Sequence, residues 1–374
     1  MLERIRIRNY KSILDTSLSL SYTKKRAGKR YRENDTMYFL EDGESRCVPF
    51  LVMYGANSSG KSTLLSALLL LRNIIRDGVE RAGYYPNRLA GGEEGTSFFL
   101  RAVLDGRRYE YSLSYTEGEI LSESLTADDE AVFLIEKGKS IKGDADPGDI
   151  VRDSRQLYSL LSNESENDDV KAFASFILEK LLFFNSFRYS VNDAFSSYVK
   201  LSGKTREECL EIVREFTKKL DLSIYDIEDG EKWKTEHLDS DRNQIWFSID
   251  EESEGTKRVF ALVSIIFASL SSGAVLIPDE IDVSLHSIVL RVLVNLFASH
   301  EYNTLNAQLL CSAHNTDLLD APYITADEIA FFEKTRKMGS SITRLSEIEG
   351  VGRPSSYRKI YLEGGFSGIP FPYL

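Results

Sequence analysis

The chain has 374 residues, 42% of them hydrophobic and 28% charged, which is typical of a soluble globular protein with one large or two smaller domains. No apolar stretch reaches the length of a membrane span, since the longest candidate is interrupted by Ser62, Ser66 and Arg72. The N-terminus is charged from its third residue, and the three cysteines are widely spaced. We therefore expect a cytoplasmic protein without a membrane partner, a secretory signal or a disulfide framework. The net charge of −12 argues against nucleic-acid binding except through a local basic patch.

The first 130 residues predict an N-terminal lobe that is rich in antiparallel strands. Ile5 and Ile7 alternate with arginines, which is typical of a half-buried strand, and a second strand follows a turn. Residues 98–104 and 109–115 predict a hairpin around Asp105-Gly106, and 120–126 add a strand. The polar residues that follow, 128–150, favour an exposed hairpin or loop.

A basic cluster lies between the second strand and a short strand predicted at 37–40. Its members are Lys24, Lys25, Arg26, Lys29, Arg30 and Arg32. A solvated hairpin loop is the simpler interpretation. A patch for nucleic acid or for an acidic partner is the alternative.

The strongest motif of the chain lies between an apolar strand, predicted at 50–54, and a Leu-rich helix predicted at 62–75. Gly55, Gly60, Lys61 and Ser62 fit G-x-x-x-x-G-K-[ST], whose backbone N–H groups wrap a phosphate chain at a helix N-terminus. An ordinary glycine-rich turn is the structural alternative.

This motif predicts a site for ATP with Mg²⁺. We expect Lys61 to reach the β- and γ-phosphates and the Ser62 hydroxyl to hold Mg²⁺. Asn57, Ser58 and Thr63 complete the predicted nucleotide contacts from the same loop.

Helical spacing returns over 156–182 and again over 205–220, which predicts a helical insertion at 131–222. The segments are too short and irregular for a coiled-coil arm. A hairpin is then predicted within 223–252, followed by a strongly apolar helix at 252–270. Ser253 and Gly255 begin this helix, where a plain N-cap is the structural alternative to a ligand contact.

A short buried strand, 274–277, is followed by Asp279 and Glu280. Ligands bind at the carboxyl ends of strands in open α/β sheets, so this pair has a specific use beside a phosphate loop. Asp279 would complete the Mg²⁺ site opposite Ser62, and Glu280 would polarise the attacking water. The alternative is a helix N-terminus that carries acidic residues.

A helix is predicted at 286–299, and another buried strand, 309–313, ends at His314. The imidazole could contact the γ-phosphate from that edge, although a histidine after a strand is often structural. Residues 329–334 and 341–345 predict a final hairpin of a C-terminal lobe, 223–345. The aromatic, Gly/Pro-rich tail, 346–374, is either packed on the core or used for docking.

The order of these motifs resembles that of the ABC-type ATPases, and the opening IRIRNYKSI resembles the start of SMC and DNA-repair heads. The segments DEIDVSLH, AHNT and GGFSGIPF resemble the RloA-like and OLD-related AAA ATPases of bacterial anti-phage defence. This resemblance implies an α/β fold: an ABC-type P-loop head with a RecA-like mixed sheet, an antiparallel β subdomain and a short helical insertion.

The resemblance also implies a homodimer that sandwiches two ATP molecules and that could join into a higher assembly. Ser253 and Gly255 would then touch the γ-phosphate held by the other subunit, with Glu280 as catalytic carboxylate and His314 as switch histidine. Lys11 and Ser12 would lie near the nucleotide, and residues 284–286 would cross the dimer interface. In OLD nucleases a Toprim nuclease domain follows the ATPase. Only sixty residues follow His314 here, which is too few for such a domain, so a separate nuclease or toxin chain is expected as effector.

The leading hypothesis is an ATP-hydrolysing switch that controls this effector. A DNA-repair or DNA-clamping head, supported by the basic cluster, is one alternative. A nucleotide-gated scaffold with negligible turnover is another.

Overall fold

The computed structural model describes residues 1–23, 46–88, 95–136, 139–142, 161, 165–185, 189–220, 223–230, 232–335, 339–349 and 356–369. The basic cluster at 24–32 and the strand predicted at 37–40 lie outside these ranges. The strands are β1 (Leu2–Tyr10), β2 (Ile13–Ser19), β3 (Phe50–Gly55), β4 (Thr96–Leu104), β5 (Arg107–Thr116), β6 (Glu119–Ala127), β7 (Glu130–Glu136), β8 (Lys139–Lys142), β9 (Leu181–Asn185), β10 (Asp226–Glu228), β11 (Lys234–Leu238), β12 (Gln244–Ser248), β13 (Val275–Asp279), β14 (Gln308–Ser312), β15 (Ile329–Thr335) and β16 (Gly339–Arg344).

The α-helices are α1 (Lys61–Asp77), α2 (Val79–Ala82), α3 (Asp168–Ser175), α4 (Val191–Ser202), α5 (Arg206–Lys219), α6 (Glu254–Ser272), α7 (Ser287–Ala298) and α8 (Tyr357–Leu362). A π-helix, Phe176–Lys180, continues α3 into β9. Short 3₁₀ turns include Thr316–Asp320, directly after the end of β14 and its following loop. In the described part of the chain, no helix is both long and apolar enough to cross a membrane.

One large mixed sheet organises these elements. Its strand order is β8-β7-β6-β5-β4-β1-β2-β16-β15-β3-β14-β13-β9. Strands β15, β3, β14, β13 and β9 are parallel, whereas the strands from β16 to β8 pair antiparallel. The predicted α/β class with a mixed sheet and an antiparallel β part is therefore confirmed.

The parallel part positions the candidate site. Strands β3, β13 and β14 run in the same direction, so their carboxyl ends meet at one edge of the sheet. The P-loop follows β3, Asp279 and Glu280 stand at the end of β13, and His314 follows β14. Three motifs that are far apart in sequence are thus brought together by strand direction alone.

Two apolar cores cover the faces of this parallel part. Leu51 and Met53 of β3 belong to the core that buries the Leu stripe of α1. Phe50, Val52 and Tyr54 point to the other face, where α6 and α7 pack. Full burial of one such side chain contributes about 1.5–3 kcal/mol to the free energy of unfolding. The strand and the helix that flank the P-loop are therefore firmly packed.

The insertion differs from its prediction in one respect. The helical spacing predicted at 156–182 ends at Lys180, and Leu181–Asn185 is a strand that pairs with β13. This part of the prediction was wrong because a short apolar run fits a buried strand as well as a helix. Helix α4 was not predicted, although Ser190 and Asp193 form a capping box at its start.

The segment predicted as a hairpin at 223–252 is a three-stranded sheet, β10-β11-β12. The region assigned to a helical insertion, 131–222, also supplies most of β7 and all of β8 and β9 of the large sheet. The division of the chain into two lobes, a helical insertion and a tail stays a prediction.

Candidate nucleotide-binding site

The P-loop connects the end of β3 at Gly55 to the start of α1 at Lys61. Gly55 and Gly60 have φ values of 149° and 114°. A Cβ atom at Gly55 would lie 2.4 Å from the carbonyl oxygen of Phe332, and one at Gly60 would lie 2.3 Å from Ser340 Oγ. Both glycines are therefore required by the contact of the loop with β15 and β16, in addition to any contact with phosphate.

The N-terminus of α1 is open to an anion. Its N-cap, Gly60, offers no side-chain acceptor to the first N–H groups of the helix, and no acidic residue lies in the first turn. Asn57 and Ser58 are exposed on the loop, Ser58 has a φ of 63°, and Thr63 is half-buried. Free N–H groups and the helix dipole favour a phosphate at this position.

The Lys61 side chain folds back onto the backbone of the P-loop. Its Nζ donates to the carbonyl oxygens of Gly55 at 2.6 Å and Ala56 at 3.1 Å. Burial lowers the pKa of Lys61, and the nearby charges of Asp279, Glu280 and Asp282 oppose this shift. The ammonium group is thus held by two backbone carbonyls of the P-loop, within the negative field of three carboxylates.

The Ser62 hydroxyl and the Asp279 carboxylate place two potential oxygen ligands for a metal ion next to each other. Ser62 Oγ lies 3.1 Å from Asp279 Oδ1. Mg²⁺ prefers oxygen ligands, uses one or two protein groups, and takes its remaining ligands from water and phosphate oxygens. The pair fits this chemistry, and in the described ranges no group of three or more His, Cys, Asp or Glu side chains forms a competing metal site.

Ser312, the last residue of β14, connects the two acidic residues, a role that the sequence did not reveal. Its hydroxyl donates to Asp279 Oδ1 at 2.6 Å and accepts from the Glu280 N–H at 2.7 Å. Glu280 has a φ of 53°, a left-handed conformation that a non-glycine residue adopts only when its surroundings hold it there. Ser312 therefore helps to fix both carboxylates at the sheet edge.

Glu280 and His314 are neighbours. Their Oε1 and Nε2 atoms lie 3.7 Å apart, and both side chains are about 40% exposed, at 40% and 42%. A second residue missed by the sequence, Asp282, accepts hydrogen bonds from the N–H groups of His314 and Asn315 through Oδ2. The loop after β13 is thereby tied to the loop that carries the histidine.

Ser12 lies against the P-loop, as the resemblance implies. Its Oγ is 3.3 Å from Thr63 Oγ1 and 2.9 Å from Ser340 Oγ. Lys11 has a φ of 47°, and its Nζ lies 5.1 Å and 5.5 Å from the ring centroids of Tyr10 and Tyr85. Contact of Lys11 and Ser12 with a nucleotide stays a prediction.

Ser253 and Gly255 stand at the start of α6. Ser253 is the N-cap, and its Oγ accepts from the Thr256 N–H at 3.1 Å, so the structural alternative is present. A Cβ atom at Gly255 would lie 3.1 Å from the carbonyl oxygen of Ser284, and Arg258 donates to Ser284 Oγ. Within one chain, Ser253 therefore bonds to its own helix, and Gly255 and Arg258 contact the loop after β13.

The chain matches a known protein family and is similar in fold to solved structures. Residues 50–320 match the family described as "AAA domain, putative AbiEii toxin, Type IV TA system". Among solved structures, the chain is similar to the SMC head domain from Thermotoga maritima, with 12% identity and a TM-score of 0.48 over 92% of this chain and 98% of that chain. No curated protein matches.

The matched range covers more than half of the chain and contains the P-loop, the Asp-Glu pair and His314. The arrangement of these residues is that of a P-loop ATPase-type domain. The chain therefore belongs to the AAA-domain family described as putative AbiEii toxin of type IV toxin–antitoxin systems.

Proposed function

We propose that this protein binds and hydrolyses ATP with Mg²⁺, and that its nucleotide state controls a separate effector chain in a bacterial anti-phage defence system. The observation that carries the proposal is the Ser62–Asp279 pair, 3.1 Å apart, beside Lys61 and Glu280. A hydroxyl at the start of α1 and a carboxylate from β13, the second strand along from β3, form the protein part of a magnesium–triphosphate site.

Each residue of the site has a distinct task in hydrolysis. Bound Mg²⁺ would neutralise charge on the phosphate oxygens from the Ser62–Asp279 side. Lys61 would exchange its two carbonyl partners for phosphate oxygens. Glu280, half exposed and supported by Ser312, would accept a hydrogen bond from the attacking water, and His314 would contact the γ-phosphate from the next strand.

A second copy of the chain would complete the site. Ser253 bonds to its own helix α6, and Gly255 lies against Ser284 of the loop after β13, so the contacts that the structure describes for them are not made to the P-loop of the same chain. In a face-to-face dimer the N-terminus of α6 from one copy would meet the γ-phosphate held by the other. We propose this ATP-dependent homodimer as the closed state of the switch, and larger assemblies as an extension of it.

Support for the effector and for defence comes from outside the site. The sequence resembles defence ATPases, and the family description names a toxin of type IV toxin–antitoxin systems. We propose a nuclease or toxin chain as partner, held or released according to nucleotide state.

The experiment compares MgATP binding by the wild type and by Lys61→Ala, followed by phosphate release. Lys180→Ala is the control, because Lys180 Nζ also donates to a backbone carbonyl, that of Ser272 at 2.6 Å, but lies before β9 at the opposite sheet edge. We expect Lys61→Ala alone to lose binding. Equal binding by all three proteins would contradict the proposal.

The defence role needs a cellular readout. Cells that carry the protein with its neighbouring genes are challenged with phages, and plaque numbers are compared for wild type and Glu280→Gln. We expect protection only with the wild type. Equal protection would show that hydrolysis is not what controls the effector.

A further inference from the structure

The C-terminal segment 356–369 lies against the first residues of the P-loop, although it is outside the matched family range. We propose that this segment, the strap, positions the P-loop backbone for nucleotide and thereby sets the affinity for ATP. The proposal rests on the ATP site described above and adds residues that no motif assigns to it.

One end of the strap holds the entry of the P-loop. The Ala56 N–H donates to the carbonyl oxygen of Gly368 at 2.8 Å, and Tyr361 Oη lies 3.4 Å from the same oxygen. Gly368 is buried with a φ of 88°. A Cβ atom on it would lie 2.9 Å from the Phe332 carbonyl oxygen and 3.4 Å from Gly55 Cα, so only glycine allows this approach.

The other end is anchored beside the loop that carries His314. Ser356 Oγ donates to Asp320 Oδ2 at 2.6 Å, and Arg358 Nη1 lies 2.7 Å from Asp317 Oδ1. Both acceptors belong to the 3₁₀ turn Thr316–Asp320. The strap therefore connects the region of the switch histidine to the start of the P-loop.

Aromatic stacking fixes the strap between these ends. Phe331 of β15 stacks on Tyr361 and on Phe366, with centroid distances of 5.1 Å and 5.3 Å and interplanar angles of 14° and 22°. Phe331 directly precedes Phe332, whose carbonyl oxygen faces both Gly55 and Gly368. The strap and the loop thus share one rigid support in β15.

The hydrogen bonds of Ala56 show why the strap would matter when nucleotide binds. Its N–H is held by Gly368, and its carbonyl oxygen accepts from Lys61 Nζ and from the Ser59 N–H. Phosphate would draw Lys61 away from this carbonyl. The Ser59 bond lies within the P-loop itself, so the bond to Gly368 is the one that then ties the loop entry to the strap, and a preorganised loop binds more tightly than a mobile one.

The test is Gly368→Ala, with Gly118→Ala as the matched control. Gly118 has a φ of 78°, and a Cβ atom on it would meet nothing within 4 Å. Both variants therefore strain the backbone, but only Gly368→Ala adds a steric clash next to the P-loop. We expect the Kd of a fluorescent ATP analogue with Mg²⁺ to rise about tenfold in Gly368→Ala and less than about twofold in the control. At saturating ATP, kcat should stay within about threefold of wild type, because the defect lies in binding.

A second pair of variants keeps the test decisive if Gly368→Ala does not fold. Arg358→Ala removes the ion pair to Asp317, whereas Lys359→Ala changes the next residue of α8, which is 72% exposed. We expect a weaker rise of Kd, about threefold, for Arg358→Ala alone. An unchanged Kd in Arg358→Ala, and in Gly368→Ala where that variant folds, would overturn the proposal.

Hydrogen exchange separates failure of the strap from failure of the proposed function. Wild-type protein that binds no ATP would contradict the function itself. The amide of Ala56, measured without nucleotide, should still exchange faster in Arg358→Ala than in Lys359→Ala if the strap holds it. Equal exchange in these two variants would overturn the strap on its own.

Discussion

Ser312→Ala tests how the two carboxylates are held. The substitution removes the hydroxyl that donates to Asp279 Oδ1 at 2.6 Å and accepts from the Glu280 N–H at 2.7 Å. A hydrogen bond to a charged group contributes about 1.5–3 kcal/mol, and a buried donor left without an acceptor costs about 1–3 kcal/mol. Because Ser62 keeps its bond to Asp279 and Glu280 is partly exposed, we expect the free energy of unfolding to fall by about 2–3 kcal/mol.

The same substitution should impair hydrolysis. Ser312→Ala removes the hydroxyl bond that helps to hold the left-handed backbone of Glu280 and leaves only backbone bonds around it, so the Glu280 carboxylate should shift away from the attacking water. A displacement of about 1 Å costs up to roughly a hundredfold in rate, so we expect phosphate release at saturating MgATP to fall about 10- to 100-fold.

The control is Ser264→Ala. Ser264 is also fully buried, but its hydroxyl donates only along its own helix, to the carbonyl oxygen of Phe260 at 2.9 Å. Urea unfolding and phosphate release are measured for both variants. We expect a loss of about 1 kcal/mol and wild-type turnover for Ser264→Ala. Wild-type turnover in Ser312→Ala would refute the assigned role of Ser312.

Three further predictions concern the Glu280 carboxylate, the N-terminus of α6 and the Cys311 thiol. Glu280→Gln should bind MgATP normally and release phosphate about 10²- to 10⁴-fold more slowly, and a loss below threefold would show that this carboxylate is not the base. Ser253→Asp keeps an N-cap acceptor but adds a negative charge, so urea unfolding should match wild type while phosphate release is lost; the control Asn167→Asp, which makes the same kind of change at the N-cap of α3, should keep both. Burial raises the pKa of the Cys311 thiol, so thiol labelling of the native protein should not accelerate at this residue between pH 7 and pH 9, whereas rapid labelling would show that the strand opens.

The parts of the site that the sequence predicts are local. Gly55, Gly60, Lys61 and Ser62 lie within eight residues of one another, between a strand and a helix that their apolar runs already indicate. Asp279 follows a buried strand in the same way. Strand direction then places both at one edge, which general rules for α/β sheets anticipate.

The parts of the site that the sequence does not predict are contacts between strands and loops that are distant in sequence. Ser312 reads in the sequence as a small residue of a buried strand, and Asp282 as one more acidic residue after the Asp-Glu pair. Their functions depend on the register of β13 beside β14 and on where the His314 loop passes. Gly368 was placed in a tail that was predicted either to pack on the core or to be used for docking, and contacts with distant residues, such as the bond from Ala56, show that its part of the tail packs.

The fold, like the site, is predictable from local patterns but not from contacts between distant segments. The alternation of Ile5 and Ile7 predicts β1 correctly, and the Leu stripe predicts α1. The run from Leu181 to Phe184 carries no periodicity that separates strand from helix, and its pairing with β13 decides the outcome.

The central claim is that two copies of the chain share each ATP site, and mixing two inactive variants tests it most directly. Ser253→Asp keeps its P-loop and Glu280, whereas Glu280→Gln keeps its α6 N-terminus, so a mixed dimer contains one intact site. At equal amounts and random pairing, we predict phosphate release at roughly a quarter of the wild-type rate per chain. Activity no higher than the sum of the two separate variants would contradict a shared site.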